Sequence, residues 1–355
     1  MPASNRDVRT IEEKIKARAL SLGFLSCGIT TPEPMQSFSR YQQWLDKKQH
    51  GDMKYLSTPY HMESRRDVHT LMPDVRSIIC LGYQYPLHPV TSLQQPYKAL
   101  VAGYAAGIDY HLSLPVLMDT LITFIQSIAG VEVHPQRFTD SAPILERELA
   151  HRAGLGWIGR NTFVISPEFG SSFLLAEILL DLPLVPDSSY SLDRCGTCQR
   201  CIKACPTGCI NHDRTIDASR CISYHTIENK KNIPVEISDK IGKWLFGCDV
   251  CQMVCPWNQK SHNSYAGIPA LSFTIQDLID TLTFSPEDFT THFDQSPILR
   301  VKWQGFLRNA LIVLSSSDPE IALSALHSFI RTNRDENLIA HAKWSLRNLI
   351  NKPPV

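Results

Sequence analysis

Apolar positions recur at helical spacing from the start of the readable pattern. Ile11, Ile15, Ala19 and Leu22 share one side, predicting an amphipathic helix over 11–22 that Gly23 ends. FLSCGIT (24–30) follows as a buried strand, and 41–48 reads as a short helix. The run VRSIICLGY (75–83) is unbroken in apolar and β-branched residues, which predicts a strand buried on both faces. A loop rich in Pro and Gln comes next, then ALVAGYAAGIDYH (99–111), whose small residues let backbone come close to a large ligand. A long apolar helix is expected over 113–128 with Pro115 in its first turn. A strand over 131–138, a helix after the TDSAP loop, and strands over 162–165 and 173–180 complete this part. Strands and helices alternate over residues 1–185, as in an α/β or α+β domain. Periodicity then breaks down over 186–262 and returns over 263–355 as helices. Asp318-Pro319 is an N-cap followed by Pro at the first helical position. Segments 304–314, 319–330 and 335–350 each place apolar residues on one face. Three such helices with short joins resemble a small α-solenoid fragment, which offers a surface to a partner.

Composition narrows the function classes. The chain has 355 residues and a formal net charge of zero, so it is not a general polyanion binder, although a local basic face remains open. The first twenty residues are polar and charged, with no apolar core of a signal peptide. No apolar run is expected to reach the roughly 20 residues that span a membrane. A cytoplasmic, monomeric protein is therefore expected. No GxxxxGK[ST] occurs, and GLGWIG (154–159) follows a helical pattern where a dinucleotide fingerprint follows a strand. A nucleotide bound in either of those modes is not expected.

The middle segment carries the chemistry. CGTCQRCIKACP places Cys195, Cys198, Cys201 and Cys205 at C-x2-C-x2-C-x3-C-P, the bacterial ferredoxin spacing, in which the fourth cysteine serves the other cluster of a pair. CDVCQMVCP (248–256) repeats the run with one early cysteine missing, and Cys221 is available to replace it. Two 4Fe–4S clusters then close the arithmetic. Cys195, Cys198, Cys201 and Cys255 hold one; Cys205, Cys221, Cys248 and Cys251 hold the other. A zinc ribbon needs two CxxC pairs at hairpin spacing, and disulfides need an oxidising compartment; neither describes this stretch. Cys209 has no slot, and Cys27 and Cys80 lie in apolar runs as buried thiols.

Several stretches together resemble the epoxyqueuosine reductase family. They are GYAAGIDYH, FTDSAPILERELAHRAGLGWIGRNTFVISPEFGSSF, the two cysteine runs, RCISYHTIE and CPWN. They fall between residues 103 and 258. The ferredoxin run alone is shared by many electron carriers; the TDS…ERELA…GWIGRN block with CISY and CPWN is far more specific. The resemblance implies a cobalamin-binding domain like that of reductive dehalogenases over 1–185, a two-cluster ferredoxin module over 186–262, and HEAT-like helices that meet tRNA over 263–355. It implies reduction of an epoxide to an alkene on a tRNA wobble nucleoside, with cobalamin as cofactor and an outside electron donor. Two rivals stand beside it: a reductive dehalogenase, and a plain ferredoxin-type carrier with an appended α/β domain.

Epoxide deoxygenation consumes two electrons and two protons, so a proton donor is needed beside the opening ring. Asp140 matches the position of the family's proposed donor; as plain sequence, Asp140 or Ser141 reads equally well as a helix cap. The resemblance places Arg65, Tyr104, Asp140, Ile165, Ser171, Ser172, Ser223, Cys248 and Asp249 around the corrin, and Asn229 and Lys230 against tRNA. Arg300, Lys302, Arg308, Arg331, Arg334, Lys343 and Arg347 are further cations for phosphate. Glu148 and Arg152, four apart on one helix, read as a solvated ion pair.

Overall fold

The computed structural model describes residues 9–95, 98–260 and 269–351. The chain begins with α1 (Ile11–Ser21), β1 (Ser26–Thr30), α2 (Phe38–Asp46), α3 (Pro59–Arg66), β2 (Ser77–Gln84) and β3 (Lys98–Val101). It continues through α4 (Tyr110–Ile128), β4 (Gln136–Phe138), α5 (Glu146–Arg152), β5 (Trp157–Ile158), β6 (Val164–Ile165) and β7 (Phe173–Leu180). The cysteine region holds α6 (Arg200–Ala204), α7 (Ile222–Ile227), α8 (Val235–Ile241), β8 (Trp244–Phe246), α9 (Val250–Met253) and α10 (Pro256–Lys260). Then come β9 (Ser272–Thr274), α11 (Ile275–Thr281), α12 (Pro286–His292), α13 (Trp303–Leu314), α14 (Pro319–Thr332) and α15 (Glu336–Ile350).

The main sheet has the order β1-β2-β7-β4, and every pairing in it is antiparallel. Helices cover both faces, so the central strands read as unbroken apolar runs. Ile79 and Leu81 of β2 join Ile178 and Leu180 of β7 under α1 and α4. Ile78 and Cys80 turn to the opposite face, against Val68 and the α5 residues Leu149 and Ala150. The alternation of helices and strands thus builds a mixed fold of α+β type, whose main sheet is antiparallel throughout its described strands. The strand expected over 131–138 shortens to Gln136–Phe138 at the sheet edge. Pro135 precedes it and has no N–H for the ladder. Burial pushes the Cys27 thiol up to about 12 and Cys80 well above its ordinary value, as befits inert core thiols.

Helix α4 starts three residues earlier than its periodicity indicates. Asp109 caps it by accepting from the backbone of His111, which sets Pro115 inside the helix and not in its first turn. At 19 residues, α4 is also apolar and long enough to cross a membrane by length and composition. That corrects the expectation that no such segment exists. Its apolar stripe, Tyr110, Leu114, Met118, Leu121 and Ile125, packs in the core under the sheet, and Arg137 pairs with Asp119 on its outer side.

A second core ties the three expected segments together. β3 lies between β8, in parallel, and β9, antiparallel. Ala99, Leu100 and Val101 are buried with Phe246, Phe306, Leu311, Leu326 and Leu349 in one cluster. The C-terminal helices are therefore part of the wall behind the cysteine region and not a detachable surface. Arg308 shows this most directly. Expected among the cations for phosphate, it is 4 % exposed. Its guanidinium donates to the carbonyls of His225, Asn229 and Lys231 at 2.7, 2.7 and 2.6 Å. Asn309 beside it donates to Thr226 and Leu245. Arg308→Ala leaves those carbonyls buried without donors and should lower unfolding free energy by about 2–4 kcal/mol, seen in a denaturant midpoint, whatever its effect on tRNA.

Candidate functional site

A cleft of about 510 Å³ opens where the three stretches meet. Tyr41, Trp44 and Tyr55 give it an aromatic wall, Ile158 and Ile216 an apolar floor, and Arg40, Arg65, Arg147, Arg214 and Arg300 its cations. Asp140 sits in it with 47 % of its side chain open. Its backbone is left-handed, with φ at +55°, a conformation that Asp tolerates at some cost and that clusters at functional sites. The Asp140 N–H donates to Glu146 Oε1 at 2.7 Å, which holds the turn. Behind it Glu177 is fully buried with both carboxyl oxygens unpartnered, and burial raises the pKa of both glutamates. The N-cap of α5 is Leu145, so neither Asp140 nor Ser141 is the helix cap.

Oδ2 of Asp140 gathers three donors. Tyr110 Oη donates at 2.8 Å, Arg300 Nη1 at 3.3 Å, and His111 Nε2 lies at 3.6 Å. The other ring nitrogen of His111 is 2.8 Å from Asp109. Burial acts to raise the Asp140 pKa. The hydrogen bonds from His111 and Tyr110 and the charge of Arg300 outweigh it and bring the carboxyl to about 2. The complement appears on His111: its hydrogen bond to Asp140, helped by Asp109 against burial, raises its pKa above the ordinary imidazole value.

The cysteines gather in two groups. Cys195, Cys198, Cys201 and Cys255 line one pocket of about 230 Å³ with Ile165 and Trp257. Trp157 Nε1 donates to Cys195 Sγ at 3.4 Å. In the other group, Cys248 and Cys251 feel each other and Cys205 electrostatically, and Cys209 bonds both Cys205, at 3.4 Å, and Cys221. Among the described residues no His, Cys, Asp and Glu trio is spaced for a single ion. Thiols set around an open pocket suit the larger body of an iron–sulfur cube.

Residues 194–258 match the 4Fe-4S double cluster binding domain, and residues 65–141 match the family described as epoxyqueuosine reductase QueG, DUF1730. An epoxyqueuosine reductase of Escherichia coli strain K12 is 36% identical over 98% of this chain and 91% of its own length. The chain belongs to the epoxyqueuosine reductase family. Among solved structures, the epoxyqueuosine reductase of Streptococcus thermophilus is 27% identical, with a TM-score of 0.81 over 96% of this chain and 90% of its own. An epoxyqueuosine reductase solved with a tRNA-Tyr epoxyqueuosine-modified tRNA stem loop shares the fold at 24% identity, with a TM-score of 0.76 over 96% of this chain and 99% of its own.

In this reductase, Arg65 and Asp140 line the cleft. Arg65 lies over the Tyr41 ring and contacts His61. The other residues expected around a corrin stand elsewhere. Tyr104 is one layer behind, its ring against Tyr110, Phe246 and Tyr85. Asp249 is buried next to Cys248 and accepts from Gly103 N at 2.6 Å, which fastens the cysteine region to the Tyr104 turn. Ser171 bonds Gln252 and Asn258, Ser172 is buried beside it, and Ser223 lies in the first turn of α7. Ile165 faces the first cysteine pocket. For tRNA, Asn229 is 4 % exposed and bonded within its own loop, and Lys230 donates to the carbonyls of Ile227 and Arg300. The loop geometry spends both side chains on itself. Sequence reasoning missed Tyr110, His111 and Arg300 as partners of Asp140. The helix cap at Asp109 in GIDYH was the available signal for the first two; nothing local marks Arg300.

Proposed function

We propose that this reductase removes the epoxide oxygen of epoxyqueuosine in tRNA and leaves the cyclopentene of queuosine. Two 4Fe–4S clusters held by the two cysteine groups and a cobalamin in the Asp140 cleft serve it. The observation that carries the reading is the cleft itself. An aspartate in left-handed backbone stands in it, and loop 214–216 of the cysteine region forms one wall.

The residues present fit a corrin. A flat, largely apolar macrocycle with polar substituents needs a broad aromatic face and donors at its edge, and this cleft has both. When bound, a low-valent corrinoid would supply the reducing equivalents. Tyr41 and Trp44 exclude water from that side of the cleft, and Arg65 suits an anionic group of cofactor or substrate. Asp140, at the end of its turn, delivers a proton to the opening oxygen. His111, whose pKa its contacts with Asp140 and Asp109 raise, is placed to supply that proton through Asp140. The Asp109–His111–Asp140 row passes that proton forward. Exposed Arg331, Arg334, Lys343 and Arg347, together with Lys302, are the cations left for tRNA phosphate. The expected segments 1–185, 186–262 and 263–355 then divide cofactor binding, electron transfer and RNA contact, with the shared sheet joining them.

The experiment is an anaerobic incubation of the protein with an epoxyqueuosine-bearing tRNA stem loop, cobalamin and a strong reductant. Loss of one oxygen from the nucleoside by mass spectrometry is the expected result; unchanged epoxyqueuosine with clusters and cobalamin loaded would sink the assignment. A pH profile checks the proton's place. The His111 pKa is raised in the fold, so the ion pair stabilises fully below the ordinary histidine value near 6.5 and is lost as pH rises through the raised value. Single turnovers of pre-reduced enzyme should slow over the same rise, and His111→Gln should abolish that alkaline limb. A limb that persists in His111→Gln assigns the proton to another group.

A further inference from the structure

The mouth of the first cysteine pocket is lined by three arginines that the chemistry above does not use. Arg160, Arg194 and Arg200 share it with Cys195, Cys198, Cys201 and Cys255. No carboxylate forms an ion pair with any of the three among the described residues. Arg160 Nη2 donates to Gly196 O at 2.8 Å, and Arg194 lies over the Trp257 ring. Arg200 is exposed at the start of α6. The nearest acid in sequence, Asp193, is already neutralised by Arg214 and accepts from Cys195 N. Leu192, 56 % exposed, stands in the same loop. This is a cationic ring with an exposed leucine, set over thiols.

The pocket and the Asp140 cleft have no lining residue in common. The β5–β6 hairpin separates them. Ile158 and Thr162 face the cleft, while Arg160, Asn161 and Ile165 face the cysteine pocket. Substrate entering the cleft therefore does not use this mouth, yet electrons need an entry of their own. We propose that the Arg160–Arg194–Arg200 mouth is the docking site for a small acidic carrier protein that gives up one electron at a time. The proposal rests on reading the pocket as a cluster site. In each visit the carrier is oxidised by one electron and the cluster reduced by one. Two visits supply the two electrons that, with two protons, convert the epoxide to alkene and water. Weak redox encounters use small interfaces and lean on opposite charge for rate, which is what three arginines without carboxylate partners, with an exposed leucine in the Arg194 loop, provide.

Arg194→Glu/Arg200→Glu tests this, with reduced flavodoxin as the acidic probe and stopped-flow bleaching of the cluster absorbance as the readout. The second-order rate constant should fall by about tenfold or more, and its dependence on salt should largely vanish. Reduced methyl viologen, a small cation, should bleach parent and variant alike. Unchanged, salt-independent reduction by flavodoxin overturns the proposal. Equal slowing with both reductants overturns it too, because the arginines then serve the cluster and not a partner. Weaker binding of the tRNA stem loop with normal flavodoxin kinetics reassigns the ring to RNA. Iron analysis of Cys201→Ala separates the premise: if the parent loses no iron on that change, the pocket holds no cluster and the proposal falls with it.

Discussion

Asp140→Asn should lower single-turnover epoxide reduction by about 10²–10⁴-fold, the range for loss of a positioned general acid. The protein should still fold, because Asn tolerates left-handed backbone as Asp does and the Asp140 N–H to Glu146 bond is untouched. The amide oxygen can still accept from Tyr110. What disappears is the carboxylate's capacity to relay a proton and the negative charge that Arg300 and His111 now face. Loss of that charge should also drop the His111 pKa back toward its ordinary value, visible by proton NMR of the imidazole. Asp140→Ala should be no faster and less stable, since Ala in left-handed backbone is strained. Near-normal turnover of Asp140→Asn in pre-reduced enzyme would reduce Asp140 to an anchor for Arg300, whose other partner is Glu228 at 2.8 Å.

Removing one thiol from either cysteine group should abolish multiple turnover altogether. The intact chain should carry about eight iron and eight sulfide, as two 4Fe–4S clusters require. Cys201→Ala should cost the first cluster and Cys251→Ala the second, each leaving about four of each. Cys209→Ser should leave the count at about eight. Its sulfur lies 3.4 Å from that of Cys205, so a fall on that change would mean that Cys209 is a ligand and one of its neighbours is not.

Local pattern foretold what local physics decides. β2 and β7 were legible because strands buried on both faces need unbroken apolar runs. The three last helices were legible from their stripes, and the second of them from its cap at Asp318; the cap at Asp335 came only with the structure. The two cysteine groups followed from spacing, because a cluster imposes its own geometry on a short stretch. What stayed hidden depends on segments far apart in the chain. Glu148 read as half of a solvated pair with Arg152. The pair exists at 4.0 Å but is buried: Glu148 accepts from Gln36 and Ser37 ahead of α2, while Arg152 also holds the carbonyls of Thr31 and Glu33. Arg308 looked like one cation among several, and its three carbonyl partners lie far back in the chain. Arg300 reaches Asp140 from the other end of the molecule. No periodicity reports such meetings.

The position of β3 has a consequence for how the molecule is made. Leu100 pairs with Trp244 on one side and Ser272 on the other, so this sheet has very high contact order, which slows folding. On a ribosome adding about 5–20 residues per second, Leu100 waits roughly 10–35 s for its second neighbour. All the cysteines have left the ribosome before that neighbour does. The thiols thus emerge before the wall behind them exists, and iron loading belongs to the finished chain. A chain halted before Ser272 should bind little iron while the α1–β7 sheet is already protected from proteolysis.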